Sequence, residues 1–228
     1  MTAAATGDDP REHRSATTVL VVRHAESAAN AGAYFASQSD SPLSRRGEEQ
    51  AVQLSRALAR TAIDAVYSSD LIRARRTIEA VATARHLPIH QTELLRERAM
   101  GELTGLTFVD AEKRYPEVWA KLVARDPHAA PPGGESHVEL AARVSGFLGG
   151  MLPKHRGGTV LLASHGGTIH HIVRQLLGVH DLTITFALHV ENASVSRIDL
   201  HERAGEPSVA RLVYVNRIAH DTADLIER

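Results

Sequence analysis

The sequence has 228 residues, 43 % apolar but only 4 % aromatic, so a sizeable core is available and it must be aliphatic. Lys plus Arg (26) nearly balances Asp plus Glu (27), and the net charge of -1 excludes the global basic field that draws nucleic acid. With no cysteine, disulfides, thiolate metal sites and cysteine nucleophiles are excluded together.

The opening stretch MTAAATGDDPREHRS is polar, carries Pro10 and has no apolar h-region, so residues 1–16 read as a disordered tail without a secretory signal. No apolar run reaches the roughly 18–20 residues of a membrane span. A soluble, cytoplasmic protein is the expectation. Thr17 to Val22 (TTVLVV) is a β-branched apolar run suited to a strand buried on both faces, and it leads directly into Arg23-His24. From Ser44, SRRGEEQAVQLSRALAR puts Ala51, Leu54 and Leu58 on one helical face with charges opposite. Asp64 to Ser69 (DAVYSS) predicts a second strand, followed by a helix over LIRARRTIEAVATAR with Ile78, Val81 and Ala82 inward. Pro88 to Gln91 suggests an edge strand.

Glu93 to about Ser136 is irregular and rich in Gly and Pro, with helix expected on both sides of Pro116. Helix resumes near Glu135 and runs to about Met151. Thr159 to Ser164 (TVLLAS) is another buried strand, ending at His165-Gly166-Gly167 before the helix TIHHIVRQLLG. SVSRIDL and VARLVYVN alternate as a pair of hairpin-like strands. Strands alternating with helices predict one α/β domain over residues 17–228, a three-layer sandwich with a mostly parallel central sheet. A small helical cap-like insertion occupies about 98–136.

Three of the buried strands end in polar clusters: Arg23-His24, Ser68-Ser69-Asp70 with Arg73, and Ser164-His165-Gly166. Parallel strands would bring all three to one rim, where ligands sit in open α/β sheets. Two arginines and two histidines there suit a phosphate dianion, because guanidinium groups bind phosphate oxygens in bidentate fashion. Arg73, in the first turn of a helix, adds an anion-favouring N-terminus. Gly166 and Gly167 allow close backbone approach. His24 is the candidate nucleophile if an acceptor holds Nδ1–H and leaves Nε2 facing phosphorus. His165 would stay charged, or donate a hydrogen bond to the equatorial oxygens. The leaving oxygen needs a separate proton donor, for which Glu97 is chosen, with Glu93, Glu102 and Glu135 nearby in sequence.

The string VVRHAESAAN resembles the opening motif of the histidine phosphatase superfamily, also called the phosphoglycerate mutase-like family, with Arg23, His24, Glu26, Ser27 and Asn30 in register. SPLSRRGEEQA, YSSDLIRARRT, LLRERAMGELTG, PGGESHVELAARV and LLASHGGTIH are similar to its later segments, in the same order, over roughly Val19 to Leu177. The resemblance implies a phosphohistidine at His24 and a phosphate pocket of Arg23, Asn30, Arg73, His165 and the Gly166 backbone. It implies Glu97 as acid then base, no metal, no cofactor, and a homodimer as a common assembly. Ala25 departs from the usual Gly and should narrow the phosphate loop slightly. Ala29 and Thr104 replace the family's frequent Trp and Glu, at positions expected near the non-phosphate part of the substrate.

Taken singly, Arg23 reads as a strand-end charge and His24 as a satisfied buried histidine; the ordered set carries the argument. His165, His170 and His171, among 14 histidines, are separated by five and six positions rather than four, which argues against a helical metal pair. His170 and His171 are expected as one exposed and one core-facing residue, and Trp119 as a packing anchor of the cap. The expected function is metal-independent hydrolysis of a small phosphorylated metabolite, with no nucleic-acid or membrane partner. One alternative is a cofactor-dependent phosphoglycerate mutase, which needs a longer basic insert than Arg98, Lys113, Arg114, Lys121 and Arg125 provide. The other is a catalytically silent phosphate-binding module, whose mark would be loss of His24 or Glu97.

Overall fold

A computed structural model describes residues 16–183, 188–201 and 209–218. Six strands form one sheet: β1 (Ala16–Arg23), β2 (Ala65–Ser69), β3 (Ile89–Thr92), β4 (Thr159–Ser164), β5 (Ser194–His201) and β6 (Val209–Ile218), in the order β3-β2-β4-β1-β5-β6. The first four strands of that order pair in parallel; β5 runs antiparallel to both β1 and β6. Among the described residues seven α-helices accompany them: α1 (Ala28–Ala31), α2 (Arg45–Ala57), α3 (Ile72–Thr83), α4 (Phe108–Arg114), α5 (Pro116–Val123), α6 (His137–Met151) and α7 (Gly166–Leu176). The arrangement is the expected mostly parallel α/β sandwich, with α4 and α5 forming the cap-like insertion.

Side-chain alternation along the central strands builds two cores. Leu20, Val22, Val66 and Leu161 meet Leu54, Leu58, Ile78 and Val81 of the α2–α3 segment. Val19, Val21, Val160 and Leu162 meet Val144, Leu148, Ile169 and Ile172 of α6 and α7 on the other face. Each fully buried Leu, Ile or Val contributes about 1.5–3 kcal/mol over its exposed state, so the sheet's position between the two helix layers is strongly specified. Capping sets several helix starts. Ser44 accepts from the Gly47 N–H, Ser136 and Glu139 form a reciprocal capping box, and Pro116 opens α5 where its missing N–H costs nothing.

The lead-in lies outside the described residues up to residue 15, but Ala16 is the first residue of β1. α6 begins two residues later than expected, after the Ser136 cap. The four-residue α1 carried no periodic signal, being shorter than two turns. Among the described residues, no helix is long and apolar enough to cross a membrane.

Candidate active site

The parallel register places the three polar clusters at one level. Arg23 lies opposite Ser164, and Ser68 opposite Ala163, so His24, Ser69 and His165 follow together at the carboxyl ends of β1, β2 and β4. The β1–β4 ladder extends one step further through the His24 N–H to the Ser164 carbonyl (2.9 Å). The His24 and His165 rings stand 5.0 Å apart, with exposures of 5 % and 0 %.

His24 Nδ1 lies 2.7 Å from the Ala25 carbonyl oxygen, an acceptor only, so Nδ1 carries the proton and Nε2 keeps its lone pair. Burial, then the Arg73 and Arg23 charges, hold this imidazole well below its ordinary pKa, so it is neutral at neutral pH. His165 Nε2 lies 2.9 Å from Ser69 Oγ, which already accepts from the Leu71 N–H (3.3 Å). The Ser69 proton is therefore assigned towards Nε2, leaving Nδ1 as the protonated nitrogen of His165. That Nδ1 is buried and has no partner. Burial and the neighbouring His24, Arg73 and Arg23 also push His165 well below its usual pKa. Of the two expected states of His165, the neutral donor fits this environment and the charged ring does not.

Arg23 donates through Nη1 to the Val190 carbonyl (2.5 Å), while its Nε is buried and unpartnered. Two buried donors, Arg23 Nε and His165 Nδ1, are thus left unmatched in the same site. Such groups are costly unless something accepts from them. Arg73 is 2 % exposed and donates to the carbonyls of Ser39 (2.8 Å) and Ser37 (2.7 Å), so it also holds the loop whose Ser37 has φ of 51°. Burial lowers the pKa of both arginines and the Glu97 charge opposes it; a guanidinium stays protonated regardless. Asn30 accepts at Oδ1 from the Ser27 N–H (3.1 Å) and Ser27 Oγ (3.0 Å), which leaves its amide nitrogen as the end able to donate.

Glu97 sits at the start of α7. Its carboxylate accepts from the backbone N–H groups of Arg98 (2.8 Å), Gly167 (3.1 Å) and Thr168 (3.2 Å). Its segment is pinned on both sides. Arg96 pairs with Asp70 (2.5 Å), and Arg143 donates to the carbonyls of Leu94 (2.8 Å) and Arg96 (3.0 Å) while paired with Glu135 (2.8 Å). Glu135 thus supports the Glu97 segment from behind and does not line the cavity.

A cavity of about 450 Å³ gathers Arg23, His24, Asn30, Arg73 and Glu97 with Arg98 and His137. His165 stands behind His24, in ring contact with it. Arg98 was named by sequence only as a scattered base. Here it is 8 % exposed and donates to the Glu135 carbonyl (2.7 Å), His137 Nε2 (2.9 Å) and the Ala129 carbonyl (2.8 Å). His137 in turn meets His171 (2.9 Å between Nδ1 and Nε2). His171 is buried among these polar partners and His170 is half-buried, so neither is fully exposed.

Several expectations are corrected. Ala25 is fully buried at negative φ and is not among the residues lining the cavity. Ala29 is fully buried with its N–H on Ser41 Oγ (3.0 Å), and Thr104 is exposed; neither reaches the cavity. The anion at the start of α3 is Asp40, which accepts from the Ile72 N–H (3.0 Å). An added Cβ at position 167 would press on Glu97 Oε1, the end of a side chain, at 2.7 Å, whereas at Gly166 the nearest atom is Arg23 Nε at 3.9 Å. Among the described residues, no group of three or more His, Asp or Glu could hold a metal ion.

A family model for the histidine phosphatase superfamily (branch 1) matches residues 19–212. A probable phosphoglycerate mutase, GpmB, of Salmonella choleraesuis is 37 % identical over 185 residues, covering 81 % of this chain and 85 % of that protein. Among solved structures, a mycobacterial glucosyl-3-phosphoglycerate phosphatase superposes with a TM-score of 0.77 at 30 % identity, covering 88 % of this chain and 99 % of its own. The α-ribazole phosphatase of Shigella flexneri gives 0.79 at 26 % identity, covering 92 % and 100 %.

Proposed function

We propose, for a chain that belongs to the histidine phosphatase superfamily, hydrolysis of a small phosphorylated metabolite through a phosphohistidine at His24. Family membership and the phosphatase neighbours support an enzyme acting on phosphate esters. The observation that carries the finer reading is the pair of buried, unmatched donors, Arg23 Nε and His165 Nδ1, beside a neutral imidazole locked with Nε2 free. An anion seated beside His24 gives Arg23 Nε an acceptor, and gives one to His165 Nδ1 where an oxygen reaches past the His24 ring. Arg73 and the Asn30 amide add charge and a further hydrogen bond.

In the first step His24 Nε2 attacks phosphorus in line as the bond to the ester oxygen breaks. The Glu97 carboxyl supplies the proton to that oxygen, and the alcohol leaves. In the second step the Glu97 carboxylate takes a proton from water as the water oxygen attacks phosphorus and the N–P bond breaks. Phosphate leaves, His24 is neutral again and Glu97 is protonated again. Ester and water become alcohol and phosphate, with no metal in the balance.

The kinship with a probable phosphoglycerate mutase favours a second reading, in which the phosphoryl group returns to product. A mutase must grip a carboxylate beside the phosphate. Arg98 is the cavity's arginine outside the phosphate end; three of its five N–H donors go to Glu135, His137 and Ala129, and the Glu97 and Glu135 charges already oppose its own. Hydrolysis is therefore preferred.

The test is phosphate release from p-nitrophenyl phosphate, sugar phosphates, phosphoglycerates and nucleotides in EDTA, with rapid quenching to trap an acid-labile phosphoryl-enzyme. Release and trapping in the wild type, both absent from His24→Ala, are expected. Equal release by the two proteins would overturn the reading, and isotope exchange between phosphoglycerates without net release would favour the mutase.

A further inference from the structure

Resting on the hydrolase reading, we infer that the substrate is a phosphate monoester whose alcohol part is apolar and ring-bearing and carries no second negative charge. The cavity's wall away from His24 is built from Phe35, Met100, Phe108, Trp119, Leu122 and Val123. Phe35 and Phe108 meet edge to face at 4.8 Å, and Phe108 and Trp119 lie 6.2 Å apart, so the rings form one continuous surface. In a chain with only 4 % aromatic residues this clustering is a concentrated use of them.

Among the described residues, the core does not close that surface. α5 has no buried residue and α4 only Ala111, and Phe108 is 54 % and Val123 63 % exposed. The patch is continuous with the phosphate end, so the group esterified to the bound phosphate is the occupant that reaches it. Its chemistry follows from the charges. The cationic side chains lining the cavity are Arg23 and Arg73 at the phosphate end and Arg98, which gives three of its five N–H donors to protein acceptors and whose charge is already opposed by the nearby Glu97 and Glu135. A carboxylate or second phosphate held against Phe, Trp, Leu and Val would lose its hydration without a dedicated partner. A ring gains dispersion and hydrophobic contact there.

The test compares 3-phenylpropyl phosphate with glycerol 3-phosphate and 3-phosphoglycerate. All are esters of primary alcohols, which keeps leaving-group acidity similar and lets recognition decide. The expected result is a kcat/KM about tenfold or more higher for the phenylpropyl ester, carried mainly by KM. Phe108→Ala and Trp119→Ala should each bring that ratio down severalfold, at unchanged Tm. Binding is read separately, since Trp119 is the sole tryptophan. Titration with 3-phenylpropyl phosphonate should change its fluorescence saturably, at concentrations where propyl phosphonate does not.

No preference for the ring-bearing ester, or a preference untouched by both substitutions, would overturn the inference while leaving the hydrolase intact. A fluorescence response selective for the phenylpropyl phosphonate, with no phosphate released from any ester, would uphold the apolar occupant and sink the hydrolase. Absence of both the selective response and turnover would overturn both.

Discussion

The two ends of the cavity are built on opposite plans. At the phosphate end His165, Ser69 and Ser164 are fully buried, His24 and Arg73 nearly so, and most polar atoms have an assigned partner. At the cap end α4 and α5 leave apolar side chains uncovered above the same cavity. Phosphoryl transfer gains from donors fixed before the reaction, because reorganising them during it raises the barrier. Recognition of the remaining part of the substrate needs no such rigidity, and a surface finished only by the ligand spends its burial on binding. On the proposed function, the contrast separates chemistry from choice of substrate within one cavity.

The contrast breaks most sharply at His24. His24→Ala should lower phosphate release by about 10⁴-fold or more, read by initial rates, because no other group can take over the nucleophile's place. Glu97→Gln should follow, with a loss of about 10²–10⁴ in steady-state turnover. With p-nitrophenyl phosphate, whose leaving group needs little help from an acid, that variant should still show a burst of product before it stalls. An unaltered steady state would remove Glu97 from the mechanism.

Stability should divide along the same line. Leu161→Ala, in the fully buried sheet centre, should cost about 2–5 kcal/mol in urea unfolding. Val123→Ala on the exposed cap wall should stay within about 0.5 kcal/mol. Equal costs would mean that the cap is as much part of the core as the sheet.

The histidines at and near the phosphate end give the mildest effect, a pH dependence. Burial is the first cause that lowers each of them: His137 and His170 to about 4, His171 to about 3, and His24 and His165 well below their ordinary value. As pH falls below about 6.5 the unfolded chain takes up protons on these rings and the folded chain does not. The unfolded state then binds more protons, so stability falls with falling pH. The loss from His137 and His170 should develop between about 6.5 and 4, and these groups contribute no slope above that window. Urea midpoints across pH 4–8 read it directly. A midpoint rising towards pH 5 would contradict the burial of neutral imidazoles.

Much of the site was legible before the fold because it is written where buried strands end. Arg23-His24, Ser69 and Ser164-His165 follow short apolar runs, and parallel pairing can only bring such ends to one rim. Arg143 gave no such signal. It acts by reaching backbone carbonyls 47 and 49 positions away in the chain, and nothing around it in sequence sets it apart from a surface arginine. Arg98 and His137 escaped for the same reason, since their bond spans 39 positions.

By itself the sequence determined the α/β layering, the order of the motifs and the residues brought to one rim of the sheet, because hydrophobic periodicity and strand ends are local properties of the chain. Only the tertiary structure decided what those residues can still do. It showed that Arg98 gives three of its five N–H donors to protein acceptors, that an added Cβ at Gly167 but not at Gly166 would press on Glu97, that Ala25, Ala29 and Thr104 do not line the cavity, and that Phe35, Phe108 and Trp119 share one wall. The reason is physical: a side chain's free donors and open faces depend on what packs beside it, and those neighbours arrive from distant parts of the chain.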